Sequence, residues 1–152
     1  MAEGYFDGSC MGNPCTVGGL GWYLKTDTLE VEGMGIVVKF SAAHTIKGHP
    51  KCGRMHGHNY RVVVTLSADT LDKNGMIMDF SEVKKVVHMV IDKLDHVYLN
   101  DVLKVDFVTA EYLAKYIYDK LVLRLPSVHS VQVYEDDDTW TLYTPTTGEQ
   151  HG

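Results

Sequence analysis

The order in which its hydrophobic periodicities occur constrains this chain more than any other feature. Ile36, Val38, Phe40 and Ala42 alternate with Val37, Lys39 and Ser41, the pattern of a strand with one face in a core. Residues 58–68, rich in β-branched types (Val62, Val63, Val64, Thr65), predict a second strand. Asp72-Lys73-Asn74-Gly75 signals a turn, and Met76–Phe80 reads as a short strand after it. The period then changes. Val83, Val86, Val87, Val90, Ile91 and Leu94 recur at helical spacing with Ser81 as N-cap. Leu113, Ile117 and Leu121 predict a second helix over 110–123, with Thr109 as its cap and Glu111 suiting the helix dipole. Residues 128–135 and 139–143 predict two last strands, joined through Asp136-Asp137-Asp138. Strands and helices segregated into runs imply an α+β fold on an antiparallel sheet, not a doubly wound parallel one.

Composition narrows the function classes. With 152 residues, 45% apolar and 22% charged, the chain fits one globular domain and excludes wholesale disorder. No apolar run approaches the roughly 20 residues of a membrane span. The start, MAEGYFDG, lacks the basic and apolar parts of a secretory signal, so a cytoplasmic protein with no membrane partner is expected. A net charge of −6 without a basic stripe disfavours a nucleic-acid partner. Cys10, Cys15 and Cys52 make an odd set, which argues against a disulfide framework and leaves each thiol as core filler, metal ligand or nucleophile. Residues 1–33 are Gly-rich with few periodic positions and read as an N-terminal extension; 34–145 form the domain proper and 146–152 a tail containing His151.

The segment 49–58, HPKCGRMHGH, concentrates three histidines and a cysteine. His56 and His58 share a strand face because side chains two apart point the same way. His44 ends the first strand on the face of Phe40 and Ala42, and an antiparallel pairing through the loop 45–57 brings it beside the other two. Three imidazoles with an open fourth position describe a catalytic metal site; the alternative is a solvated or merely hydrogen-bonded strand end. Cys52 either completes a closed His3Cys site or serves as a thiolate activated by the metal, by Lys51 or Arg54, or by another base. Asp95-His96, directly after the first helix, reads either as a proton relay for Cys52 or as a helix end that favours a cationic imidazole. His88 and His129 read as surface residues, and Cys10 with Cys15 is a weak metal pair. Glu135 continues the Val131, Val133 face and is the one acid of the run 135–138 in register to enter a pocket.

The segments FSAAH (40–44), CGRMHGHNY (52–60), GMIMDFSEVKK (75–85), LDHVYLND (94–101), TAEYLAKYIYDKL (109–121) and VQVYE (131–135) together resemble the 6-pyruvoyl-tetrahydropterin synthase superfamily, in its order and spacing from near Gly35 to Tyr143. The short spacing C-x-x-x-H-G-H resembles the 6-carboxy-tetrahydropterin synthase branch more than the tetrahydrobiopterin branch, whose gap is longer. The resemblance implies the tunnelling fold: an antiparallel sheet with two helices on one face, trimerising into a β-barrel, as a homotrimer or a homohexamer with active sites between subunits. It implies Zn2+ on His44, His56 and His58, a catalytic Cys52 with the pair Asp95 and His96, and a pterin-anchoring Glu135, with Thr109 as a further substrate contact. The implied substrate is the small molecule 7,8-dihydroneopterin triphosphate. The implied products are 6-carboxy-tetrahydropterin, acetaldehyde and triphosphate, on the route to queuosine and other 7-deazaguanines. Lys47, Lys51 and Arg54 form the nearest cationic patch for the triphosphate.

The chain departs from the family pattern at three points. Val108 stands where proline often precedes Thr109, Tyr112 where asparagine often follows Glu111, and Asp136 where threonine often follows Glu135. The last adds a negative charge beside the pterin anchor. The leading residues have no counterpart in the family. YFDGSCMGNP, with Asp7, resembles the opening strand of the ribonuclease H family, but the rest of that fold's acidic set has no room here, so the extension reads as an appended segment.

Overall fold

Alternation along the chain becomes alternation between core and solvent. In the computed structural model, which describes residues 33–146, strands β1 (Met34–His44), β2 (His56–Leu66), β3 (Val128–Tyr134) and β4 (Trp140–Tyr143) form one sheet in that order, every neighbour antiparallel. The expectations for Asp7, Cys10, Cys15 and His151 lie outside the described residues. One face of the sheet is buried: Ile36, Val38, Phe40 and Ala42 on β1, Tyr60, Val62, Val64 and Leu66 on β2, Val131 and Val133 on β3. Helices α1 (Phe80–Ile91) and α3 (Ala110–Val122) complete the core with Val83, Val87 and Ile91, and with Leu113, Ile117 and Leu121. Full burial of each such side chain contributes roughly 1.5–3 kcal/mol. Val37, on the other face of β1, is exposed. This is the expected α+β arrangement.

Three local features differ from the sequence expectation. Met76–Phe80 is not a strand: Asp72 Oδ1 accepts from the backbone N–H groups of Asn74 (2.8 Å) and Met76 (2.9 Å), curling the chain into a turn, and Phe80 already opens α1. The N-cap of α1 is Asp79, not Ser81. The Asp79 carboxylate accepts from Ser81 N–H at 2.7 Å and from the Ser81 hydroxyl, and these hydrogen bonds hold its pKa below the usual value. A charged acceptor at the positive end of the helix dipole outcompetes a hydroxyl for that position. The third feature is a short helix, α2 (Leu99–Leu103), closed by Lys104 in the left-handed region at φ 56°. Five residues are too few for a period to show in the sequence. Thr109 caps α3 as expected, accepting from Tyr112 N–H at 3.2 Å.

Helix α2 ties the end of β1 in place. Asn100 Oδ1 accepts from Thr45 N–H at 2.9 Å, while its Nδ2 donates to the carbonyls of Thr45 and Val105, both at 3.0 Å. All three bonds lie next to His44. Asn100→Ala is expected to lower the free energy of unfolding by about 1–3 kcal/mol, because it strands partly buried backbone groups. Urea denaturation checks this, with the exposed neighbour Asp101→Ala expected to change stability by no more than about 0.5 kcal/mol.

Candidate metal centre and active site

The β1–β2 register sets the site. The Cα atoms of His44 and His56 are direct antiparallel partners and Ala42 pairs with His58, so His58 is the diagonal neighbour of His44. Ring centroids lie 4.4 Å apart for His44–His56, 5.1 Å for His44–His58 and 5.2 Å for His56–His58. One ring nitrogen from each residue falls within 4.8 Å of the others.

Hydrogen bonding decides which nitrogen is free. His44 Nδ1 lies 2.7 Å from the Val108 carbonyl and His56 Nδ1 lies 2.8 Å from the Arg54 carbonyl. A carbonyl only accepts, so each Nδ1 carries the proton and each Nε2 keeps its lone pair. Among the described residues, the buried side-chain polar atoms without a partner are His44 Nε2, His58 Nε2 and the Tyr60 hydroxyl. Leaving such atoms unpaired costs about 1–3 kcal/mol each, which makes a ligand for them the natural explanation. Burial pushes the pKa of His44 below its ordinary value, partly offset by the Val108 bond and the nearby Glu135 charge, so the ring is held neutral. Three imidazoles aimed at one point fit a divalent transition metal with a position left for water or substrate. The departure at Val108 leaves this support intact, since the acceptor is a backbone carbonyl. Val108 N–H also donates to the Thr45 carbonyl at 3.4 Å, a bond that proline could not make.

A pocket of about 510 Å³ opens over the three rings and is lined by Cys52, Glu135, Lys51 and Arg54 as well. Cys52 stands outside the group of converging ligand atoms, which favours the open three-histidine arrangement over a closed His3Cys site. It rides on a loop held by its own backbone: Ile46 N–H donates to the Cys52 carbonyl at 2.8 Å, Gly53 N–H to the His49 carbonyl at 2.8 Å, and Cys52 N–H to His49 Nδ1 at 2.9 Å. A Cβ at Gly53 would sit 2.5 Å from the His49 carbonyl oxygen, so the loop closes this tightly only with glycine there. Glu135 lies just beyond β3, its Oε1 3.8 Å from His44 Nε2. It also lines an adjoining cleft of about 240 Å³ with Thr109, Glu111 and Trp140. Thus Glu135 stands between the histidine pocket and the cleft at the start of α3.

Two sets of expected site residues lie elsewhere. Lys47 is drawn off by Asp106, with Nζ 2.7 Å from the carboxylate, and borders a different hollow. Asp95 and His96 lie along the outer edge of β1, where Asp95 Oδ1 accepts from Ser41 N–H at 2.8 Å and Oδ2 meets His96 Nδ1 at 2.8 Å. The Ser41 bond, then the His96 contact, hold the Asp95 pKa below its usual value. His96 sits in the left-handed region at φ 55° and is 81% exposed, facing a hollow shared with Ser41, Gly57 and Asn59 rather than the Cys52 pocket. His88 and His129 are on the surface, as expected. Sequence reasoning missed Tyr60, which stacks on Phe40 and meets the rings of His44 and His58 edge-on. Burial, with the Glu135 charge adding, pushes the Tyr60 phenol pKa far upward, so it stays protonated. Its place two residues after His58 on the same strand face was the available signal.

The family described as 6-pyruvoyl tetrahydropterin synthase matches residues 35–146. A 6-carboxy-5,6,7,8-tetrahydropterin synthase of Synechocystis is 42% identical over 103 residues, covering 63% of this chain and 80% of that protein. The Bacillus subtilis protein of the same name is 36% identical over 128 residues, covering 74% and 84%. The human 6-pyruvoyl tetrahydrobiopterin synthase is 33% identical over 129 residues, covering 70% and 86%. Among solved structures, the 6-pyruvoyl tetrahydropterin synthase of Caenorhabditis elegans superposes with a TM-score of 0.69 at 27% identity, covering 75% of this chain and 95% of that one. A match over the whole described domain, carried by relatives aligned along most of their own length, leaves one conclusion: the chain belongs to the 6-pyruvoyl tetrahydropterin synthase family of enzymes.

Proposed function

We propose that the protein is a zinc-dependent 6-carboxy-5,6,7,8-tetrahydropterin synthase acting on 7,8-dihydroneopterin triphosphate. The observation that carries this reading is the convergence of three imidazoles beside a free thiol in one pocket, in a chain whose relatives include proteins named for that activity. Zinc suits an all-imidazole set with an open position. When bound, it would supply Lewis acidity to the vicinal hydroxyls of the substrate side chain. Glu135 accepts two charge-assisted hydrogen bonds from the guanidine-like edge of the pterin, fixing which end of the substrate faces the histidines. Thr109, on the far side of Glu135, borders the cleft that would take the ring. Lys51 and Arg54 meet the triphosphate at the pocket mouth.

Cys52 takes a proton from the substrate side chain as the thiolate, and the Asp95–His96 pair returns one. That pair lies outside the Cys52 pocket within a single chain. It therefore reaches the substrate from a neighbouring copy, in keeping with the trimer or hexamer that the family resemblance implies. The spacing of Cys52 to His56 favours the carboxy branch over the pyruvoyl branch. In the carboxy reaction, substrate and one water yield carboxytetrahydropterin, acetaldehyde and triphosphate, with the side chain cleaved at a C–C bond.

Purified protein incubated with dihydroneopterin triphosphate is expected to release acetaldehyde in step with triphosphate. Triphosphate with a pyruvoyl pterin and no acetaldehyde would assign the other branch, and no product at all would leave a pterin- or metal-binding oligomer. Cys52→Ala is expected to keep its full complement of zinc by elemental analysis while losing turnover by about 10²–10⁴-fold. His44→Ala is expected to lose both.

A further inference from the structure

Each metal-facing imidazole needs its second nitrogen held, and here the three are held in two ways. His44 and His56 each donate Nδ1–H to a backbone carbonyl, of Val108 and of Arg54. These acceptors are present whatever side chains occupy positions 108 and 54. His58 has no such carbonyl. Its Nδ1 instead faces Asp136 Oδ1 at 3.7 Å, while its Nε2 is buried without a partner. We propose that Asp136 is a positioning residue for the metal centre: its carboxylate accepts the Nδ1 proton of His58, fixes the ring with Nε2 toward the cation, and makes that nitrogen the more basic ligand.

The inference rests on the metal reading above and goes beyond it, because it assigns a role to the position where the chain departs from the family's usual threonine. A carboxylate can only accept, so it selects the same tautomer that the two carbonyls impose on His44 and His56. It adds a full negative charge, which strengthens the imidazole as a donor to the metal. The separation is roughly 1 Å longer than a charge-assisted N–H···O bond. Asp136 is 67% exposed in the turn after β3, and a rotamer change of this side chain would close that distance once the ring is drawn onto a cation. Asp137 and Asp138 carry the same charge in the same turn but do not border the histidine pocket, so they are natural controls.

The test is zinc affinity, measured by competition with a chromophoric chelator on the full chain. Asp136→Ala is expected to weaken zinc binding by about 10–100-fold, and Asp136→Asn by less, since the amide oxygen still accepts but the charge is gone. Asp137→Ala is expected to stay within about twofold of the unsubstituted protein, on the same scale. The unfolding midpoint of metal-free Asp136→Ala should match that of the unsubstituted protein, separating metal affinity from folding. Nitrogen-15 NMR of the metal-free protein should find His58 favouring the Nδ1-protonated tautomer, with that preference lost in Asp136→Ala. An unchanged zinc affinity in Asp136→Ala overturns the proposal while leaving the metal site standing. Failure of the unsubstituted protein to bind zinc overturns both.

Discussion

The pairing of β1 with β2 is the constraint on which everything else depends. Eleven consecutive pairs, from Met34–Leu66 to His44–His56, hold one register. A slip of one residue would turn the whole set of side chains to the opposite face. In the observed register the same stripe that buries Phe40, Tyr60 and Val62 delivers His44, His56 and His58 to one point at its end. The core and the histidine cluster are thus two ends of one pattern. The transition between them falls at the strand ends, where buried imidazole nitrogens are left free for a ligand.

The fold keeps those nitrogens free at a cost in stability. Among the described residues, two imidazole Nε2 atoms and a phenol hydroxyl are buried without partners. Core packing next to them must carry that penalty, and the ties around the end of β1 show how. Asn100 clamps Thr45 from both sides, Val108 uses its carbonyl on His44 and its N–H on Thr45, and the segment after α1 runs along the outer edge of β1. That last contact also satisfies backbone groups on what would otherwise be an open sheet edge, with Ala43 N–H donating to the Val97 carbonyl at 3.0 Å. It places Asp95 and His96 on that edge, away from Cys52. Within one chain, His96 thus borders a different hollow from Cys52, with His58 lining both.

Much of this was legible beforehand because it depends on local periodicity. The strand over 36–42, the helix capped by Thr109 and the shared face of His56 and His58 follow from side chains recurring every two or every three to four residues. Where the reading failed, the deciding contact was a competition that spacing does not encode. Asp79 displaced Ser81 as cap because a carboxylate suits a helix start better than a hydroxyl. Met76–Phe80 curled because the Asp72 side chain captured two backbone N–H groups. Lys47 was lost to the pocket because Asp106, far along the chain, neutralises it.

By itself, then, the sequence determined which residues share a face and which chemistry that face could carry: a His-x-His at a strand end, a thiol in a tight glycine loop, and an acid in register with β3. Tertiary structure decided which of them meet. His44 reaches the pair only through the β1–β2 register, its Nδ1 is held by a carbonyl more than sixty positions away, and His58 faces a carboxylate in the turn after β3. A residue's face follows from backbone geometry within a few bonds. Its partners follow from how loops close and layers pack, and no local spacing contains that.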